Sequence, residues 1–332
     1  MKEPLVSIVI PAYNSENTIL ASIKASLAQS YSNVEVIVVD DGSVDATASI
    51  VRSIDRVKYI RQDNRGPASA RNKGASVARG DIIFFTDSDC VPEKDWVKKM
   101  VPLLDRGDKT IAVVAGSYGI VNRDNILARC IHKEILFRHK YLIPSYPRSF
   151  GSYNFCIWAE IFKDLGGFNA EYRYASGEDN DLSYKVLKAG YKILFVQDSV
   201  VFHCFPTSIR EYLKEQFRHG FWRVKMYIDY PHMMKGDDYT FWKDIIEPPA
   251  VIVFLFCLVL SLFFPLNFFI ISGFIFTFIL FLNIFFSYIV TRNFYETIFL
   301  FWVMLARAFA RTLGFSSGIV RFILTLRYKK IK

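Results

Sequence analysis

Short β-branched runs alternate with helical patterns through the first 115 or so residues. The runs at 6–10, 34–39, 57–60, 81–85 and 111–114 read as strands, and the segments 16–29 and 67–78 read as helices between them. Strand, helix, strand at this spacing predicts a parallel sheet. The run IIFF at 82–85 is apolar at every position, which suits a strand covered on both faces. Pro67, directly after Gly66, fits the first position of a helix. From 116 to 245 the pattern is more mixed, with helix-like stretches at 125–141, 179–189 and 208–227, a strand-like run at 199–202 and no internal repeat.

Beyond that point the polarity changes. Residues 248–291 contain no Asp, Glu, Lys or Arg, and Phe, Ile and Leu dominate. A helix needs about 20 apolar residues to cross about 30 Å of hydrocarbon, so the stretch is long enough for two crossings with a reversal near Pro265 and Asn267. The first arm, 250–264, is short for a full span, which leaves a slightly re-entrant hairpin as the alternative. A soluble helix of this length normally keeps a polar face. Glu247-Pro248-Pro249 reads as the stop between the front domain and this hairpin.

In the segment 297–326, Arg307, Arg311 and Arg321 interleave with Phe299, Phe301, Trp302, Leu305, Phe309 and Phe315. Arg307 and Arg311 share a helical face, which predicts an amphipathic helix in the headgroup layer, with a third crossing as the alternative. Arg292 and the Arg327-Tyr328-Lys329-Lys330 tail place the basic flank on the same side as the front domain. The positive-inside tendency then predicts a multi-pass cell-membrane protein with its large domain and its C-terminus in the cytoplasm. The expected boundaries are 1–245 for the front domain, 248–291 for the hairpin and 294–332 for the juxtamembrane helix and tail.

Composition narrows the class. In 332 residues, 52% hydrophobic and 22% charged content excludes a disordered or collagen-like chain. Lys+Arg 41 against Asp+Glu 32 leaves +9, which favours anionic partners: nucleic acid, an anionic lipid surface or a phosphorylated substrate. No base-reading motif or basic recognition helix is visible, so nucleic acid is not expected. The five cysteines are far apart and form no C-x-x-C pair, which points to a reducing compartment rather than a disulfide framework or zinc ribbon. The apolar run near the N-terminus stops at Pro11, too short for a signal-peptide core, so this end is expected to stay where it is made.

In an open parallel sheet, ligands bind beyond the carboxyl ends of the strands. Pro11-Ala12-Tyr13-Asn14, Asp40-Asp41-Gly42-Ser43 and Thr86-Asp87-Ser88-Asp89 leave three predicted strands and should meet on one edge. Asp87 and Asp89 stand two apart, an unfavourable pairing unless a cation sits between them. A hard divalent ion held by carboxylates and substrate phosphates is the usual occupant; a helix N-cap at Asp89 is the plainer alternative. Asp40 and Asp41 either shape an Asp-Gly turn or accept from a base N–H and a ribose hydroxyl. Arg71, early in the helix beginning at Pro67, either points its fork toward a base or diphosphate or is a solvated surface arginine. No G-x-G-x-x-G follows the first strand, which argues against a dinucleotide dehydrogenase.

IVIPAYN, VVDDGSVD, NRGPASARN, TDSD, the segment 151–167 and GEDNDL, in that order, resemble membrane-anchored family 2 glycosyltransferases of bacterial and archaeal type. The resemblance covers about residues 5–225. It implies an α/β GT-A fold, mostly parallel, followed by the membrane hairpin and interfacial helix. It further implies inverting transfer of a sugar from a nucleotide-sugar, with a lean toward uridine, assisted by Mg²⁺ or Mn²⁺. The family's nucleotide pocket falls on Pro11, Tyr13, Asp40 and Arg71, with Ser88 on the donor side. Its D-x-D metal motif falls on Asp87 and Asp89, and its catalytic carboxylate on Asp179. His203 matches the position of an added metal ligand; a buried structural histidine is the other reading.

A general base must remove the acceptor proton, and Asp179 at a helix start is the candidate, with Glu178, Asp181 or a purely capping Asp179 as alternatives. Gly151, Ser152, Tyr153, Asn154 and Trp158 are expected on the acceptor side. In processive members a Q-x-x-R-W motif is found, whereas Gln216-Phe217-Arg218-His219-Gly220-Phe221-Trp222 lacks its Arg-Trp pair, so single-sugar transfer is expected. Arg218 and Trp222 then belong either to a lid or to an ordinary amphipathic helix. A bilayer anchor suits an acceptor confined there, such as a polyprenyl-phosphate or polyprenyl-diphosphate saccharide for surface polysaccharide or glycoprotein assembly. A polyprenyl-phosphate glycosyl synthase and a catalytically dead anchored scaffold are the alternatives.

Overall fold

The computed structural model describes residues 3–104, 110–231, 234, 236 and 238–324. The Arg327-Tyr328-Lys329-Lys330 tail lies outside them. The chain divides into two units, one of residues 1–122 and 139–205, the other of residues 123–138 and 206–332.

The first unit is built as the alternation predicts. Strands β1 (Val6–Ala12), β2 (Val34–Asp40), β3 (Val57–Arg61) and β4 (Ile82–Phe85) alternate with helices α1 (Ile19–Leu27), α2 (Thr47–Arg52) and α3 (Pro67–Val77). Next come β5 (Cys90–Pro92), α4 (Trp96–Met100), β6 (Ile111–Ile120), the helix α5 (Ile126–Tyr141) shared between the units, β7 (Phe155–Trp158), α6 (Ala159–Asp164), α7 (Glu178–Lys188) and β8 (Lys192–His203). The eight-stranded sheet runs β3-β2-β1-β4-β7-β6-β8-β5. Its first four strands are parallel; β7 is antiparallel to both β4 and β6, while β6 and β8 are parallel to one another.

The sheet is therefore mixed, and two strands escape the periodicity reading. β5 and β7 have three and four residues, too few for an alternation to show. Every residue of β1 and β4 is buried, as expected for strands covered on both faces. Pro11 is tolerated in the middle of the sheet because β4 pairs only Val6 to Val9 of β1, so no ladder bond to β4 is lost at position 11.

The second unit contains the first part of α5, then α8 (Ile209–Asp229), α9 (Trp242–Leu260), α10 (Pro265–Thr291) and α11 (Phe294–Ile319). The expected stop at Glu247-Pro248-Pro249 is not one, since α9 continues through both prolines. Interior prolines remove two helix N–H donors. Side contacts hold the segment instead: Lys243 pairs with Glu247 at 2.6 Å, Asn283 donates to Glu247 at 2.7 Å, and Val251 packs in a cluster with Ile279, Leu305 and Ala308.

Two helical segments are long and apolar enough to cross a membrane, Leu266–Thr291 and Phe294–Ile323. The sequence expectation had put both crossings within 248–291 and laid the next segment in the headgroup layer. Two arginines of that segment turn inward while Arg321 is exposed: Arg307 donates to Glu134 at 2.7 Å and to the Tyr212 hydroxyl at 3.1 Å, and Arg311 to Gln216 at 2.8 Å and Asp244 at 2.9 Å. Shared helical face was read correctly, but its partners are protein carboxylates rather than lipid phosphates. α8 and α11 cross at glycines, and a Cβ on Gly314 would stand 2.0 Å from the Phe217 carbonyl oxygen, so the two backbones touch.

Candidate active site

Because β1, β2, β4, β6 and β8 run the same way, their carboxyl ends share one edge of the sheet, and the acidic loops collect there. The turn after β2 is organised first. Asp41 accepts from the backbone N–H groups of Arg65 at 2.9 Å and Gly66 at 2.7 Å, and from Gln62 at 2.7 Å. These bonds hold the entry to α3, where Gly66 adopts φ +92; a Cβ there would meet the Arg173 carbonyl oxygen at 2.4 Å. Asn72 on the same helix both donates to and accepts from the Phe168 backbone, at 2.8 and 2.9 Å, fixing α3 against the segment that leads to α7.

Arg71 is thereby delivered to the centre of the site and is almost fully enclosed. It donates to Asp87 Oδ1 at 2.7 Å and Glu178 Oε1 at 3.1 Å, and lies 4.0 Å from Asp179 Oδ1. Burial opposes its charge, yet the three carboxylates hold the guanidinium above even its ordinary pKa. The surface-arginine reading is excluded by this enclosure. Glu178, the first residue of α7, is buried and also accepts from the Ser176 N–H at 2.7 Å. Burial, and then the charge of Asp179, push the Glu178 carboxyl up to about 8. Asp179 is raised as well, by burial acting against the pull of Arg71. Its Oδ1 is buried and makes no hydrogen bond among the described residues.

This arrangement has a pH consequence. Glu178 binds its proton more tightly folded than unfolded, so its contribution to stability is full below about pH 4.5 and is lost as pH rises toward about 8. The unfolding temperature of the metal-free protein in detergent is expected to fall across that window, and Glu178→Gln to flatten the slope. A wild-type slope that persists in the variant would assign the titration elsewhere.

The D-x-D loop follows β4. Asp87 is bound to Arg71, its carbonyl accepts from Ser22 at 3.1 Å, and Ser88 shares a 2.7 Å hydrogen bond with Ser15 in the loop after β1. Asp89 Oδ2 lies 3.3 Å from His203 Nε2. Against the cost of burial, the imidazole beside it keeps Asp89 below the usual carboxylate range. His203 is the last residue of β8 and pairs in register with Cys90 of β5. The Asp89 carboxylate, the Cys90 thiol and the His203 imidazole each bring a ligand atom, all within 4.8 Å of one another. Asp89 Oδ1 is buried with no hydrogen-bond partner among the described residues, so this group fits a divalent cation.

The remaining predicted residues are distributed unevenly. Tyr13 is exposed just beyond β1, and Pro11 is buried within it. Asp40 is enclosed: its oxygens accept from the Ser43 N–H at 2.7 Å, the Tyr59 hydroxyl at 2.7 Å and Arg61 at 3.5 Å, which ties β2 to β3 rather than opening to a ligand. Gly151 faces the Asp179 carboxylate, since a Cβ on it would stand 3.7 Å from Asp179 Oδ2.

Asn154 stands at this edge, since Phe155 pairs with Phe85, but its side chain is enclosed, whereas Trp158 does not line the edge. Asn154 is fully buried, accepts from the Trp96 indole at 2.7 Å and donates to the Ser117 and Ser199 carbonyls at 3.0 Å, stitching β7 to β6 and β8. Trp158 pairs with Ile82, at the end of β4 remote from Asp87. The antiparallel direction of β7 is the physical reason for the place of Trp158. Arg218 and Trp222 belong to α8 in the second unit, where Trp222 packs on Phe221 and Phe322. Cys90 was missed, because only the β5–β8 register brings it to His203.

Residues 7–165 match the family described as Glycosyl transferase family 2. Succinoglycan biosynthesis protein ExoO of Rhizobium meliloti is 37% identical over 201 residues, 57% of this chain and 57% of that protein. Amylovoran biosynthesis glycosyltransferase AmsB of Erwinia amylovora is 28% identical over 259 residues, 73% of this chain and 83% of its own length. The match to an uncharacterised glycosyltransferase of Rickettsia felis, 31% identical, covers 56% of this chain but only 32% of that relative, so the chain spans only part of some of the proteins it matches. Among solved structures, the mannosyltransferase PcManGT from Pyrobaculum calidifontis, in complex with GDP-Man and Mn²⁺, superposes with a TM-score of 0.59 at 19% identity, covering 96% of this chain and 88% of that one. Residues 7–165 therefore carry a family 2 glycosyltransferase domain, within a GT-A-like fold.

Proposed function

We propose that this protein is an inverting, metal-dependent transferase that moves one sugar from a nucleotide-sugar, a UDP-sugar first, to a membrane-associated acceptor. A polyprenyl-phosphate- or polyprenyl-diphosphate-linked saccharide, in the assembly of a surface polysaccharide or glycoprotein glycan, is the acceptor class. The observation that carries this reading is the contact of one buried arginine with Asp87 of the metal loop and with the Glu178-Asp179 pair. Donor and acceptor chemistry are thereby brought within one side chain's reach. Similarity to a succinoglycan and an amylovoran biosynthesis protein supports the pathway class. The apolar α10 and α11 support a membrane location, and this reading puts the transferase domain on the cytoplasmic side.

Asp179, its Oδ1 unbonded, takes the proton of the acceptor hydroxyl as that oxygen forms its bond to the anomeric carbon. The bond from that carbon to the diphosphate breaks on the opposite face, which inverts the centre. Its raised pKa brings the carboxylate closer to the acceptor proton it must hold. Arg71 supplies a fixed positive charge near the leaving diphosphate, and burial strengthens that interaction. Asp87, Asp89 and His203 would hold Mg²⁺ or Mn²⁺, which when bound neutralises developing charge on the diphosphate. Tyr13, Ser88 and Pro11 form the donor side, and Gly151 leaves room for the acceptor beside Asp179.

The test is a donor screen of the full chain in detergent against UDP- and GDP-sugars, with and without EDTA, in the presence of lipid extract. Nucleoside diphosphate release that is abolished by EDTA and raised by lipid is expected. Release from no donor under any of these conditions would favour an inactive scaffold.

A further inference from the structure

The donor set beside the D-x-D loop is not the one a hard cation alone would select. Mg²⁺ and Mn²⁺ prefer oxygen and tolerate imidazole, whereas a thiol draws zinc, cobalt and other borderline or soft ions. Cys90 is fully buried, stands next to Asp89 in sequence and is paired with His203 across two strands. Its sulfur, an Asp89 oxygen and a His203 nitrogen lie within 4.8 Å of one another. Around tetrahedral zinc, donors at about 2.0–2.3 Å from the metal are separated by roughly 3.3–3.7 Å, so side-chain adjustment of about 1 Å closes the set.

We propose that Asp89, Cys90 and His203 form a three-donor site for a thiophilic divalent cation, zinc in particular, which competes with the hard cation serving sugar transfer. This rests on the reading of Asp89 and His203 as metal ligands and adds the sulfur as the element that sets selectivity. Zinc binding forms a metal–sulfur bond as the thiol releases its proton to solvent. With three protein donors, tetrahedral zinc keeps one open position, fewer than an octahedral ion offers to the oxygens of a diphosphate. Zinc therefore acts as an inhibitor that occupies the cation site, and Cys90 determines how strongly.

Cobalt(II) titration of the full chain in detergent tests the assignment, because a sulfur–cobalt bond gives a near-ultraviolet charge-transfer band. The band is expected in wild type and in a Cys204→Ser control, which removes the free cysteine directly after His203, and lost in Cys90→Ser, which keeps the size of the buried side chain. Zinc should displace Mn²⁺ followed by paramagnetic resonance, and Cys90→Ser should weaken zinc by at least the about 10–100-fold that loss of an outer-shell partner costs. Cobalt binding by calorimetry without the band, or a band that survives Cys90→Ser, overturns the sulfur assignment while leaving the transferase reading intact. Failure of Mn²⁺, cobalt and zinc all to bind overturns both.

Discussion

Asp179→Asn is expected to lower turnover by about 10²–10⁴-fold while nucleotide-sugar binding persists. The substitution preserves size and removes the capacity to hold a proton. Asp179 is the carboxylate whose Oδ1 is buried and unbonded, beside Gly151 and 4.0 Å from Arg71. Neighbouring Glu178 already spends its oxygens on Arg71 and the Ser176 N–H, so it is poorly placed to substitute. Calorimetry for donor binding and single-turnover measurement of transfer separate the two effects. Near-wild-type turnover by the Asn variant would remove Asp179 from the role of base and return Glu178 and Asp181 to consideration.

Asp89→Ala is the second large effect, expected to abolish the EDTA-sensitive part of donor binding and to cost about 10²–10³-fold in turnover, the scale of losing one preorganised electrostatic contact. Asp89 joins the Cys90 and His203 pair to the loop, with one oxygen facing His203 at 3.3 Å and the other without a partner among the described residues. Asp87 is a weaker probe, because its removal also releases Arg71 from a 2.7 Å ion pair and leaves a buried charge underpaired. Donor binding in Asp89→Ala that remains as sensitive to EDTA as in wild type would move the cation away from this loop.

In the parallel half of the sheet, β1 and β2 were legible because seven residues each are enough to show a pattern, β4 because all four of its residues are apolar, and α3 because it opens on the turn signal Gly66-Pro67. The acidic loops could be placed from the general rule that ligands gather at the carboxyl ends of parallel strands. Glu178 and Asp179 were legible as chemistry, but their division of labour was not. It depends on which carboxylate Arg71 of α3, more than a hundred residues away, and the nearby Ser176 N–H engage.

Arg307 and Arg311 illustrate the same limit in the second unit. Their four-residue spacing predicts a shared face, and they do share a partner region, but charge periodicity does not distinguish a face turned to lipid phosphates from one turned to Glu134 and Asp244. Pro248 and Pro249 mislead for a related reason. Local propensity reads them as a stop, whereas the lateral bonds of Lys243, Glu247 and Asn283 belong to packing between helices.

What residue order alone determined was the inventory: apolar strands, a charge-free stretch, carboxylates at strand ends and an arginine early in a helix. Those features are written in near neighbours, where side-chain period and backbone preference act. Tertiary structure decided adjacency. Inserting β7 antiparallel between β4 and β6 carried Trp158 to the far end of β4 and enclosed Asn154, and the pairing of β5 with β8 brought Cys90 to His203. Strand order and direction minimise exposed sheet edge and fill the core across the whole domain, so no local stretch of sequence carries them.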